Sequence, residues 1–163
     1  MFKDLFLIRH AESSHPSNVN DFDRPLSEMG HREAHIMSLT LKQYKRALSG
    51  LLISSPAKRA LDTAMIFTKT FNRSVHLIQP ENMIYEATVS SLLSIINHLP
   101  EDKNEVVLFG HNPGISELAG YLSESTIGSM PTAGIIHIQF SIDSWKLVSK
   151  GLGEIKWEVS PNL

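Results

Sequence analysis

Arg9 and His10 stand side by side directly after a short apolar run, in the stretch LIRHAES (residues 7–13). Two bulky polar side chains at the end of a core strand need something to bind. An arginine is always charged and presents a planar fork of N–H donors that matches phosphate oxygens. A neutral imidazole nitrogen can attack phosphorus and hold it covalently, dividing one displacement into two. Cationic neighbours lower a histidine's pKa, which keeps its lone pair available, and they stabilise charge on a transferred group. Singly, Arg9 reads as a salt-bridged surface arginine and His10 as a core histidine. Together, at this position, they point to an anion site beside a nucleophile.

Two further residues belong to the same argument. Arg59 lies about one turn into a helix that Ser55 and Pro56 are expected to open, the serine as cap and the proline as first helical residue. A helix N-terminus itself attracts anions. Taken alone, Arg59 reads equally well as a solvated helix residue. His111 sits in GHNPG (110–114), a tight turn whose glycines allow close backbone approach to a ligand; by itself it could be an exposed turn histidine. His31 and His35, at i and i+4, have the spacing of a two-histidine metal pair. No third ligand stands at a fixed spacing, so a wet helical face is the favoured reading of those two and no metal is expected.

The elements that must position these residues follow from hydrophobic periodicity. Residues 4–8 form a short buried strand, and 12–25 are a polar loop. Ser27 caps a helix through about Tyr44, with Ala34, Met37 and Leu41 on one face. Residues 50–54 are a second strand, followed by a helix from Ser55 to near Asn72 that carries Ala60, Ala64 and Phe67. A third strand is expected over 75–78. Thr88 caps a helix with Val89, Leu92, Leu93 and Ile96, closed by Pro100. Residues 105–109 are a fourth strand and 115–122 a short helix. Ile136, Ile138 and Phe140 alternate with polar residues as a strand does, and 145–148 are expected to pair with them as a hairpin. The tail, 153–163, reads as either an edge strand or a contact surface. Alternating strand and helix implies an α/β fold, a mainly parallel sheet covered by helices on both faces with an antiparallel edge. Ligands of such sheets sit at the carboxyl ends of the strands. Three strand ends therefore deliver Arg9, His10, Arg59 and His111 toward one rim.

Bulk properties narrow the function class. The 163 residues fit one domain with a proper core. A formal net charge of -2 argues against a nucleic-acid partner. The chain has no cysteine, which excludes disulfides, thiol catalysis and cysteine metal sites. No apolar run approaches the ~20 residues that cross a bilayer, and residues 1–8 lack the form of a signal peptide. A cytoplasmic protein with no membrane contact is expected.

The segments LIRHAES (7–13), RPLSEMG (24–30), SSPAKRALDTA (54–64) and GHNPG (110–114) together resemble the histidine phosphatase superfamily, in family order and over nearly the whole chain. The resemblance implies a three-layer α/β/α sandwich, no cofactor or metal, His10 as the phosphorylated nucleophile, and Arg9, Arg59 and His111 around the phosphate. It makes Glu86 the candidate proton donor, and Glu12 and Asn18 candidate pocket residues, Asn18 toward phosphate. Ala11 stands where the family usually has glycine. Between Arg59 and Glu86 there is room only for the rest of a helix and one strand, so a single domain over 1–163 without a lid insertion is expected. An open pocket suits phosphate carried on a protein surface, and the chain looks most like the short SixA-like branch, associated with phosphohistidine dephosphorylation in phosphorelays. The alternatives are a small-molecule phosphomonoesterase with the same pocket and a non-catalytic module binding phosphorylated partners or metal.

Overall fold

The computed structural model describes residues 1–161. Six strands, β1 (Lys3–Arg9), β2 (Leu51–Ser54), β3 (Ile78–Pro80), β4 (Glu105–Gly110), β5 (Ile135–Phe140) and β6 (Gly153–Val159), form one sheet in the order β3-β2-β4-β1-β5-β6. The first four are mutually parallel; β5 runs antiparallel to β1, and β6 antiparallel to β5. The α/β reading with a mostly parallel sheet and an antiparallel edge therefore holds.

Strand alternation divides the core in two. Leu5 and Leu7 of β1 and Val106 and Leu108 of β4 pack with α3 (Val89–Asn97) and α4 (Gly114–Ser123). Phe6, Ile8, Val107 and Phe109 point the other way, toward α1 (Glu28–Tyr44) and α2 (Lys58–Thr70). Central strands buried on both faces read as continuous apolar runs for this reason. The helix starts obey their sequence signals where a hydroxyl was free to cap: Ser27 Oγ accepts from Gly30 N at 3.0 Å, and Thr88 and Ser91 form a reciprocal capping box.

Three expectations need correction. Ser55 does not cap α2 and Pro56 is not its first residue; the helix begins at Lys58 after an Ala57 cap that makes no side-chain bond. The Ser55 hydroxyl is engaged elsewhere, as described below. Residues Val75–Leu77 form a 3-10 turn started by Ser74, and the strand is Ile78–Pro80, the short edge of the sheet. Residues Trp145–Leu147 are likewise a 3-10 turn, because the Trp145 side chain is fully buried and its indole N–H donates to Lys103 O at 2.6 Å. The partner of β5 is instead β6, so the tail is an edge strand as far as Val159; Asn162 and Leu163 lie outside the described residues.

The interval between Arg59 and Glu86 is filled by the rest of α2, two 3-10 turns and β3. Among the described residues no helix is long and apolar enough to cross a membrane.

Gly30 explains part of the RPLSEMG segment. A Cβ there would lie 1.9 Å from the carbonyl oxygen of Glu12, so α1 seats directly on the loop that follows His10. Gly30→Ala is expected to destabilise the fold by ~1–3 kcal/mol, the usual range for overpacking. Urea unfolding checks this; an unchanged midpoint would mean that α1 does not bear on the loop.

Candidate active site

The strands β2, β4 and β1 lie next to one another and end level, with Arg9 opposite Gly110 and Ser54 opposite Phe109. The ladder continues one residue further: His10 N donates to Gly110 O and Ser55 N to Phe109 O, both at 3.0 Å. Arg9, His10, Ser55 and His111 thus leave the sheet at one place, and Arg59 reaches it from the first turn of α2. Arg9, His10, Arg59 and His111 all line a cavity of about 420 Å³, together with Arg24 and Thr132. The convergence expected from the sequence is therefore present.

Each side chain is held in a way that leaves at least one nitrogen uncommitted. His10 Nδ1 lies 2.7 Å from the carbonyl oxygen of Ala11. A carbonyl can only accept, so Nδ1 carries the proton and Nε2 the lone pair. Arg9 donates through Nη1 to Met130 O at 2.8 Å. Arg59 donates through Nη1 to Asp21 O at 2.6 Å and through Nη2 to Asp21 Oδ2 at 3.1 Å. His111 Nε2 meets Ser55 Oγ at 2.7 Å. What is left over is Arg9 Nε, Arg59 Nε and His111 Nδ1, the buried side-chain polar atoms without a partner among the described residues. A buried donor left unmade costs about 1–3 kcal/mol. Three such atoms on residues that line one cavity mark it as a receptor for an acceptor-rich ligand, and the arginines require that ligand to be an anion.

The electrostatics agree. Burial pushes the His10 imidazole down to about 4, and the Arg59, Arg9 and Arg24 charges push the same way. Burial, then the neighbouring His10 and Arg59, lower His111 to about 3. Both rings are neutral at physiological pH, 5.1 Å apart between centroids. The Asp21 carboxyl is held far below the usual carboxylate range, first by the Tyr85 hydroxyl and then by Arg24 and Arg59. It is an anchor for the arginines, with no proton to give.

Two residues expected at the site are not brought to it. Glu86 is exposed, at φ 55°, and is not part of the cavity wall. The turn after the 3-10 segment Asn82–Ile84 presents Tyr85 instead, whose hydroxyl donates to Asp21 Oδ2 at 2.6 Å and whose ring centroid lies 5.6 Å from that of His111. Asn18 is exposed at the tip of the loop over residues 12–25, which is pinched at its base by the Ser13–Leu26 bridge and a bond from Ser14 N to Pro25 O. Glu12 does line the cavity. Ala11 is fully buried, and its N–H donates to Thr63 Oγ1 at 3.0 Å, so the loop accepts alanine where glycine is usual.

Other contributors were not singled out from the sequence. Arg24 bonds Asp21 Oδ1 at 2.9 Å and also Ser13 and His15. Glu33, buried in α1, accepts from Glu12 N at 2.8 Å and from Thr132 Oγ1, joining two loops that both line the cavity. His31 and His35 are exposed on α1, and no group of three metal-ligating side chains occurs among the described residues.

An open anion cavity lined by a neutral, oriented imidazole is the equipment for phosphoryl transfer through histidine. Comparison with known proteins agrees. The family model "Histidine phosphatase superfamily (branch 1)" matches residues 5–82. A chloroplastic Arabidopsis thaliana protein of unassigned activity is 30% identical over 151 residues, covering 87% of this chain and 68% of its own length. A Mycobacterium tuberculosis protein, also uncharacterised, is 26% identical over 138 residues, 78% of this chain and 84% of its own. Among solved structures, a protein histidine phosphatase SixA complexed with tungstate superposes with TM-score 0.80 at 21% identity, covering 96% of each chain. A proposed phosphohistidine phosphatase SixA from Agrobacterium tumefaciens gives 0.78 at 24%, covering 98% of each. A mycobacterial glucosyl-3-phosphoglycerate phosphatase gives 0.68 at 14%, covering 96% of this chain and 98% of that one. The chain belongs to the histidine phosphatase superfamily, and its fold is that of the SixA proteins.

The depressed histidines have a measurable consequence. In the unfolded chain both take up a proton near 6.5, whereas the folded protein resists to about 4 and about 3. The unfolded state therefore binds more protons between these values, and stability falls as pH drops from 6.5 toward 4. In NMR titration the Cε1–H shifts of His10 and His111 are expected to stay constant from pH 8 to pH 5; a midpoint near 6.5 for either would contradict the site's electrostatics.

Proposed function

We propose that the protein is a phosphatase that removes phosphate from phosphohistidine on a protein, through a covalent phosphohistidine intermediate on its own His10. The observation that carries this reading is the set of unpaired buried nitrogens, Arg9 Nε, Arg59 Nε and His111 Nδ1, on three residues that line the same cavity as His10, whose Nε2 holds the lone pair. They supply donors for the oxygens of a phosphoryl group and charge to stabilise it while it is transferred.

In the first step the Nε2 lone pair of His10 forms an N–P bond as the N–P bond of the substrate breaks. The bonding electrons go to the departing imidazole, which leaves neutral after taking a proton from solvent. Water then attacks the phosphorus, the second N–P bond returns its electrons to His10, and inorganic phosphate departs. Arg9, Arg59 and His111 hold the three equatorial oxygens in both steps. Arg24 acts through Asp21, which anchors Arg59.

The substrate assignment rests on two features. The cavity is open, and the chain between α2 and α3 holds only short turns and β3, so nothing there encloses a small metabolite. Glu86 stands outside the wall and Asp21 is ionised, so among the described residues no strong acid waits for the leaving group. Imidazole needs one less than an alkoxide does. A single domain acting in the cytoplasm on a phosphorelay protein, without cofactor, metal, nucleic acid or membrane, completes the proposal. The second reading, a small-molecule phosphomonoesterase, has its support in the similarity to the glucosyl-3-phosphoglycerate phosphatase.

Incubation with a phosphohistidine-bearing domain and with a panel of sugar phosphates separates the two. Faster turnover of phosphohistidine is expected; preference for a sugar phosphate would favour the second reading. His10→Ala is expected to abolish an acid-labile phosphoenzyme, and Arg59→Ala to lower kcat/KM by about 10²–10³-fold, as loss of one transition-state donor does. Labelling that survives in His10→Ala would remove His10 as nucleophile.

A further inference from the structure

Ser55 is fully buried, yet its hydroxyl neither caps α2 nor meets solvent. Its oxygen accepts from Ala57 N at 3.2 Å and lies 2.7 Å from His111 Nε2. We propose that Ser55 is a positioning residue that fixes the tautomer of His111, donating its hydroxyl proton to Nε2 so that the ring proton sits on Nδ1, facing the phosphoryl group. The inference rests on the phosphate-pocket reading above and adds to it the residue that decides whether His111 donates or accepts.

Two arguments fix the direction of this bond. If Nε2–H donated to Ser55, the serine oxygen would accept twice and the hydrogen of this fully buried hydroxyl would have no acceptor. At the same time His111 Nδ1 would present a lone pair, buried and unpartnered, to a cavity lined by three arginines. An anion there would meet repulsion. With the opposite direction both faults vanish: the serine proton has Nε2, and Nδ1–H becomes a donor awaiting an oxygen. Because His111 is neutral at ordinary pH, it has one ring proton to place, and the choice of nitrogen decides its function. Partners that orient a metal-ligating histidine cost about 10–100-fold in affinity or activity when removed, and the same scale is expected for this histidine.

The readout is the pair of ring ¹⁵N shifts of His111 in the whole protein, which report the tautomer without any turnover. In the wild type Nδ1 is expected to carry the proton; an Nε2–H tautomer there would overturn the proposal whatever the variants do. Ser55→Ala is expected to shift His111 toward Nε2–H or a mixture and to weaken binding of inorganic phosphate by about 10–100-fold. Ser55→Thr, which keeps the hydroxyl, is expected to restore the Nδ1–H shifts and phosphate binding together. An unchanged tautomer in folded Ser55→Ala would show that another group sets it. A wild type with the Nδ1–H tautomer that binds phosphate but hydrolyses neither substrate class would leave this inference standing and overturn the proposed function instead.

Discussion

Everything polar in this site depends on three parallel strands stopping at the same level. β2, β4 and β1 are neighbours, and their registers bring Ser54, Phe109 and Arg9 to a common edge. Below that edge, over residues 5–8, 51–53 and 106–109, the strands offer only aliphatic and aromatic side chains. Above it the chain turns away, and the first residues to do so are His10, Ser55 and His111. A shift of one residue in either ladder would reverse the faces of a strand and move a histidine out of the cavity at the same time. Sheet register and site geometry are one constraint.

That constraint produces an electrostatic problem, which the loops resolve. Arg9, Arg24 and Arg59 crowd around a cavity with two neutral imidazoles. Each arginine is tied down by an acceptor: Met130 O for Arg9, Asp21 for Arg59, Asp21 and Ser14 O for Arg24. Their positions are fixed before any ligand arrives, and the Nε–H groups of Arg9 and Arg59 stay unpaired. A phosphoryl dianion then replaces absent hydrogen bonds without reorganising the site, the arrangement that makes preorganised donors effective. Burial first, and the same charges after it, hold His10 deprotonated, so the groups that bind the phosphate also help to keep the attacking lone pair free.

Much of this was legible in the sequence. Arg9 and His10 after an apolar strand, GHNPG after another, and Arg59 in an early helical turn are local patterns, and strand-end placement follows from the alternation of elements. What was not legible is tertiary. Ser55-Pro56 has the form of a helix start, but Ser55 faces His111 across the sheet edge, and a long-range hydroxyl bond displaced the local cap. Residues 145–148 have strand-like composition, yet burial of one indole in a core that the sequence does not display bent them into a turn. Asp21 is one acidic residue in a polar loop, and nothing local distinguishes it from Asp23; only Arg59 and Tyr85, brought from other elements, give it a role. Glu86 went the other way: the family resemblance made it the candidate acid, whereas the turn it occupies points Tyr85 at the site.

The treatment of protons decides what this cavity can be asked to do. A carboxyl that protonates an alkoxide at neutral pH needs an apolar or anionic setting that keeps it protonated. Asp21 has the reverse, two arginines and a tyrosine hydroxyl, and Glu86 is in water. Among the described residues the one carboxylate on the cavity wall is Glu12, and it is exposed. A site so equipped stabilises the transferred group strongly and the leaving group weakly. Reactions limited by phosphoryl charge gain from it, and reactions limited by a poor leaving group do not. A phosphoramidate, whose nitrogen departs as neutral imidazole, belongs to the first kind, and an alkyl phosphate to the second. The leaving-group side of the cavity, rather than its phosphate side, is therefore where the substrate preference of this chain is set.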